Sequence, residues 1–132
     1  MYKRIKYLII EDDAASVKII KWELMRMGYQ ADYKHVENEQ QMRRQLLDNS
    51  FDVIISDHYM PAFSSLDALF IRNEMAPAIP FIILSTNIPA HAQQEACMRG
   101  CNAVLDKNHI DLLGALIAQL VPDCSKEQVY KL

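Results

Sequence analysis

The sequence predicts an α/β fold, a doubly wound parallel sheet of five strands with helices on both faces. Three observations carry this expectation. Short runs rich in Ile, Val and Leu alternate strictly with longer amphipathic stretches, the pattern of repeated βα units. The short runs span only three to six residues, too few for helices and typical of buried parallel strands. Gly28, Gly100 and Pro122 stand where amphipathic stretches end, as helix terminators do.

Taken in order, the first strand is predicted over 5–10 and is followed by a helix over 14–27, with Val17, Ile20, Leu24 and Met27 at helical spacing. A second strand over 30–35 alternates and is less apolar, as an edge strand would be. The helix over 39–47 carries Met42, Leu46 and Leu47 on one side, and the third strand covers 51–56. A helix over 66–75 with Leu66, Leu69 and Phe70 leads to the fourth strand, 81–84. A helix over 90–99 and a strand over 103–105 follow, and the last helix, 110–120, presents Leu112, Leu113, Leu116, Ile117 and Leu120. This is (βα)5. Five strands fit the flavodoxin-like order 2-1-3-4-5, in which ligands sit beyond the carboxyl ends of the strands, between the first and third.

The chain has 132 residues, enough for one domain. We expect that domain over 1–122, with 123–132 as a C-terminal tail that could serve as a docking segment or a linker. A net charge of −3 argues against nucleic acid as the main partner, because that footprint is basic, so no direct DNA binding is expected. No apolar run approaches the ~20 residues that span a bilayer. The basic start is followed by only Tyr7 to Ile10 before Glu11-Asp12-Asp13, too short for a secretory signal. The expectation is a cytoplasmic protein without membrane association. Cys97, Cys101 and Cys124 form no disulfide framework or paired ligand set and read as ordinary thiols.

Function rests on the residues at the predicted strand ends. Strand one runs into Glu11-Asp12-Asp13, strand three into Asp57, strand four into Ser85-Thr86 and strand five into Asp106-Lys107. Each alone has a plain structural explanation: a helix cap, a turn, a loop start, a surface lysine. Their joint placement on one rim is what points to chemistry. Carboxylates converging from two strands repel one another, and a divalent cation removes the conflict. An all-oxygen site with room for water suits Mg²⁺. Beside it an Asp can attack a phosphoryl group, a lysine supplies point positive charge and a hydroxyl can donate to a phosphoryl oxygen.

These residues resemble the receiver domain of two-component response regulators across about residues 4–121. Tyr7-Leu8-Ile9-Ile10-Glu11-Asp12-Asp13 is similar to the family's first strand and acidic pair. Asp52-Val53-Ile54-Ile55-Ser56-Asp57-His58-Tyr59-Met60-Pro61 is similar to its phosphoacceptor strand. Pro80-Phe81-Ile82-Ile83-Leu84-Ser85-Thr86 resembles the fourth strand with its hydroxyl, and Gly100-Cys101-Asn102-Ala103-Val104-Leu105-Asp106-Lys107 the approach to its lysine. The resemblance implies Asp57 as phosphoacceptor, with Ser85 and Lys107 assisting. It implies a Mg²⁺ cofactor held by Asp12 directly, by Glu11, by Asp57 and by the main-chain carbonyl of Tyr59; Asp13 is left without a role. The implied partner is a histidine kinase or histidine phosphotransfer protein. The implied interaction face, open to homodimerisation, is the helix over 90–99, the fifth strand and the helix over 110–120. Such a domain assists its own phosphorylation without being a turnover enzyme.

The chain also departs from the family's pattern. Val104 stands where an aromatic is frequent, Asn108 where proline usually follows the lysine, and Ser65 where glycine is common. We therefore expect a trans Lys107–Asn108 bond, a switch carried by the loop from Ser85 to Ala90, and slow loss of the phosphoryl group behind Tyr59 and Asn87. Three rivals fit less well. A pseudo-receiver acting as a phosphorylation-independent interaction module would have lost some of these five side chains. An FMN-binding protein would not place three acids where a phosphate must sit. A small-molecule phosphatase or phosphotransferase would carry its nucleophile after strand one.

Overall fold

The computed structural model describes residues 3–58 and 62–121. Five strands, β1 (Lys3–Ile10), β2 (Tyr29–Val36), β3 (Val53–Ser56), β4 (Phe81–Ser85) and β5 (Ala103–Asp106), alternate with α1 (Ala14–Arg26), α2 (Glu39–Asp48), α3 (Ser65–Met75), α4 (Ala90–Met98) and α5 (Leu113–Leu120). All pairings are parallel, in the order β2-β1-β3-β4-β5. The doubly wound, flavodoxin-like expectation is met.

Strand alternation divides the core between the two faces of the sheet. Leu8, Ile10, Ile54, Phe81 and Ile83 point to one side, where Met42 of α2, Leu69 and Ile71 of α3 and Ala96 of α4 cover them. Tyr7, Ile9, Val53, Ile55, Ile82 and Leu84 point to the other, against Val17, Ile20 and Leu24 of α1 and Leu113 and Ile117 of α5. Each fully buried aliphatic side chain contributes ~1.5–3 kcal/mol.

Local chemistry sets the helix ends. Asp13, left without a role by the sequence, caps α1: its Oδ1 accepts from the Ala15 amide at 3.0 Å and its Oδ2 from the Ser16 hydroxyl at 3.2 Å. Asn38 caps α2. Ser64 and Asp67 satisfy each other's amides in a capping box at the start of α3. Gly28, at φ 87°, takes the left-handed conformation that ends α1. The start of α4 is weaker, with Pro89 as an N-cap that offers no side-chain hydrogen bond, and only Ala92 and Ala96 buried along the helix.

The structure also corrects details of the sequence reading. The last helix is preceded by a 3₁₀ segment, Lys107–Leu112, in which His109 leaves helical geometry. Its cause is Asp106, whose side chain accepts from the Asn108 amide at 2.8 Å and starts a tight turn. Leu112 consequently sits outside the core and is exposed, as are Leu47 and Phe70 on α2 and α3. The Lys107–Asn108 bond is trans. Cys97 is exposed and Cys101 half-buried, both free thiols; Cys124 and the tail lie outside the described residues. No helix among the described residues is long and apolar enough to cross a membrane.

An unexpected anchor is Arg72, which is 4% exposed although it looks in sequence like a solvated helix residue. Its guanidinium donates to the carbonyls of Ile79 (2.8 Å) and Gly100 (2.6 Å) and to Asn102 Oδ1 (3.3 Å). It also lies over the Phe81 ring, 5.8 Å from the centroid. Asn102 Oδ1 accepts from the Phe81 amide as well, at 2.8 Å. Together they tie α3 to the entrances of β4 and β5.

Candidate acidic site

The register of the central strands brings the acidic groups together. Ile10 of β1 pairs with Ser56 of β3, so the next residues, Glu11 and Asp57, lie side by side on strands about 4.8 Å apart. Both backbones stay in the ladder: the Asp57 amide donates to the Ile10 carbonyl (2.9 Å) and the Glu11 amide to the Val36 carbonyl (3.1 Å). Continuing the two-residue alternation, Glu11 follows Ile9, Asp57 follows Ile55 and Lys107 follows Leu105, all on the α1–α5 side.

One oxygen from each of Glu11, Asp12 and Asp57 falls within 4.8 Å of the others. Glu11 and Asp57 are buried and Asp12 is exposed, leaving the cluster open on one side. Lys107 faces it, with Nζ 3.5 Å from Asp57 Oδ1, 3.6 Å from Glu11 Oε1 and 3.4 Å from the Ser16 hydroxyl. One ammonium against three carboxylates leaves negative charge in excess. Burial, followed by the neighbouring Asp57 charge, raises Glu11 from 4.5 to about 7, with Lys107 opposing. Such a donor set fits a hard divalent cation: three carboxylates, one lysine facing them among the described residues, and an exposed side for water. Glu11 is further braced through its carbonyl, which contacts Nε2 of His35.

Ser85 ends β4 and follows Phe81 and Ile83 toward the opposite side of the sheet. Its hydroxyl donates to the Thr86 carbonyl at 3.3 Å, and among the described residues it makes no hydrogen bond to the acidic cluster. Just beyond it Asn87 takes a left-handed backbone, φ 58°. The Tyr59 carbonyl implied as a ligand lies outside the described residues. The structure thus gathers Glu11, Asp12, Asp57 and Lys107 and leaves Ser85 at the rim.

The sequence reading missed His58. Its amide donates to Asp57 Oδ1 at 2.9 Å, and its ring Nδ1 lies 2.7 Å from the hydroxyl of Ser65, the first residue of α3. Both side chains are buried. Burial lowers the His58 pKa and the Asp57 charge opposes that shift. The available signal was Ser65 itself, a hydroxyl where the resembled family commonly has glycine.

Comparison with known proteins identifies the family and the fold. The family description "Response regulator receiver domain" matches residues 7–117. No curated protein matches the chain by sequence. Among solved structures, the receiver domain of the Francisella response regulator 1452 is 26% identical with a TM-score of 0.75, covering 88% of this chain and 95% of that one. A response regulator receiver domain protein from Clostridium thermocellum is 23% identical with a TM-score of 0.78, covering 96% and 98%. The receiver domain of a sensor histidine kinase from Pseudomonas aeruginosa, with a magnesium ion coordinated in its active-site cleft, is 23% identical with a TM-score of 0.72, covering 88% and 96%. From the parallel sheet, the acidic rim and a family match over most of its length, this chain belongs to the response regulator receiver domains, the modules of two-component phosphorelay signalling.

Proposed function

We propose that Asp57 accepts a phosphoryl group from a histidine kinase or histidine phosphotransfer protein and that the modified domain then presents a changed interaction face. The observation that carries this reading is the meeting of Glu11, Asp12 and Asp57 oxygens within 4.8 Å, with the Lys107 ammonium 3.5 Å from Asp57. In the step, an Asp57 carboxylate oxygen bonds to phosphorus while the donor's P–N bond breaks, its electron pair leaving with the imidazole nitrogen. Glu11, Asp12 and Asp57 would hold Mg²⁺, which supplies charge neutralisation for the transferring phosphoryl oxygens. Lys107 adds positive charge from the β5 side, and the Ser85 hydroxyl, once released from the Thr86 carbonyl, donates to a phosphoryl oxygen. Support for the ion comes from the surplus of carboxylates and from the magnesium-bound Pseudomonas relative.

On this reading the protein is a cytoplasmic switch rather than a turnover enzyme. Its receiver domain covers 1–122, 123–132 forms a tail, and α4, β5 and α5 form the output or homodimer face. The experiment is incubation with a small acyl phosphate and Mg²⁺, followed by intact-mass analysis. One added phosphoryl group on wild type and none on Asp57→Asn is the expected result; equal labelling of Asp57→Asn refutes the assignment.

A further inference from the structure

The strongest feature outside the acidic cluster is the contact between His58 and Ser65, seven residues apart across the β3–α3 connection. His58 touches Asp57 directly, its amide donating to Oδ1 at 2.9 Å. His58 is in turn fastened to α3 twice: the Ser65 amide donates to its carbonyl at 3.4 Å, and its ring Nδ1 shares a hydrogen with the Ser65 hydroxyl at 2.7 Å. Ser65 is fully buried, so its hydroxyl cannot exchange this partner for bulk water, and breaking the contact is costly.

Helix α3 is a firm support for this contact. Its first turn is closed by the Ser64–Asp67 capping box. Its body is held by buried Ala68, Leu69 and Ile71, and its far end by the Arg72 anchor. A continuous set of bonds therefore runs from a packed helix through Ser65 and the His58 ring to the amide that grips Asp57.

We propose that Ser65 and His58 are a positioning pair that fixes the orientation of the Asp57 carboxylate for attack on phosphorus. The inference rests on the reading of Asp57 as phosphoacceptor and adds a means of control over its rate. With Oδ1 held by an amide that cannot swing away, the carboxylate is kept near one rotamer and fewer encounters with a phosphodonor are misaligned. Release of the ring removes one of the two fastenings behind that amide, and small misplacements of a nucleophile are costly in rate. The pair reaches the site through the His58 amide on Asp57 Oδ1, so its effect should fall on the rate at Asp57 and not on donor binding.

The test measures phosphorylation by a small acyl phosphate at saturating Mg²⁺, with thermal unfolding followed in parallel. The proteins are wild type, Ser65→Ala, His58→Leu, the double variant, His58→Asn, and Asp57→Asn as control. An asparagine amide can reach the Ser65 hydroxyl from the place of Nδ1. Ser65→Ala and His58→Leu should each lower the maximal rate by about 3- to 30-fold, with the half-saturating phosphodonor concentration unchanged. The double variant should be no slower than the slower single one, and His58→Asn should keep most of the wild-type rate. Single variants that melt earlier yet react at the wild-type rate, losses that multiply in the double variant, or His58→Asn as slow as His58→Leu would each overturn the pair. Those outcomes leave wild-type labelling on Asp57 intact. Labelling of Asp57→Asn, or no labelling of wild type, instead overturns the phosphoacceptor reading and the pair with it. Should Ser65→Ala not fold, Ser65→Gly removes the same hydroxyl and is judged by the same criteria.

Discussion

Lowering the pH places a proton on Glu11 and sets that proton in competition with Mg²⁺. Glu11 lies beside Asp57 and titrates near 7, where an ordinary glutamate titrates near 4.5. The sign for the metal-free fold is therefore the reverse of a salt-bridged acid. Its folded-state pKa is raised, so its stabilising contribution is complete below 4.5 and is lost as the pH rises through about 7. Binding a cation inverts this, because only the carboxylate form ligates. With one proton displaced per ion, affinity falls tenfold for each unit below the Glu11 pKa. Between about pH 7.5 and about pH 5.5 the loss comes to about 25-fold. Isothermal titration with MgCl₂ in two buffers of different ionisation enthalpy reads both quantities. Proton release should approach one per ion at about pH 5.5 and be roughly half of that near pH 7. Glu11→Gln should bind more weakly at high pH and lose the steep dependence. An affinity that stays flat across this range in wild type, with no proton release, refutes the reasoning.

Further outcomes follow from contacts described above. Lys107→Met removes the ammonium that, among the described residues, faces three carboxylates and should cost about 1–2 kcal/mol near pH 7.5; urea titrations should show the deficit shrinking near pH 5, where Glu11 is protonated. Arg72→Met leaves the Ile79 and Gly100 carbonyls and Asn102 Oδ1 without their shared donor. It should cost about 2–4 kcal/mol, and a loss below about 1 kcal/mol in the same assay would count against the anchor. Gly114→Ala puts a methyl group 2.3 Å from Met27 Cγ and 2.9 Å from Met27 Cβ. The clash should outweigh the gain in helix propensity, for a net cost of about 1–3 kcal/mol. Met27→Ala in that background removes the Cγ clash but keeps the Cβ one, and should recover part of the loss in thermal melts.

What was legible in the sequence was whatever depends on periodicity. The step of two from Ile9, Ile55 and Leu105 extends off each strand to Glu11, Asp57 and Lys107, so three of the site's charges were visible as continuations of buried strands. Gly28 and Gly100 were visible as terminators because a positive φ favours glycine. Contacts between residues far apart in the chain were not visible. Nothing in the α3 segment distinguishes Arg72 from a solvated arginine until the Ile79 and Gly100 carbonyls are in place. The His58–Ser65 contact joins residues seven apart that no periodicity pairs. Asp13 looked like a third member of an acidic cluster, whereas its side chain reaches forward to the Ala15 amide. Leu112 fitted a helical stripe, but the turn set by Asp106 delays the α-helix and takes that leucine off the core face.

The way α4 is attached has a mechanical consequence. Where α1 is seated by Val17, Ile20 and Leu24, α4 buries only Ala92 and Ala96. A methyl group withdrawn from the core costs ~0.8 kcal/mol, so the work needed to slide α4 across the sheet is a fraction of that needed for α1. The resistance is lower still at its beginning, where Pro89 offers no side-chain hydrogen bond and the chain arrives through the left-handed Asn87. The domain is therefore mechanically uneven: stiff beneath the carboxylates, where strand ladders continue through Glu11 and Asp57, and compliant one strand away. A force arising at Ser85 would be spent on displacing α4 rather than on deforming the site where it began.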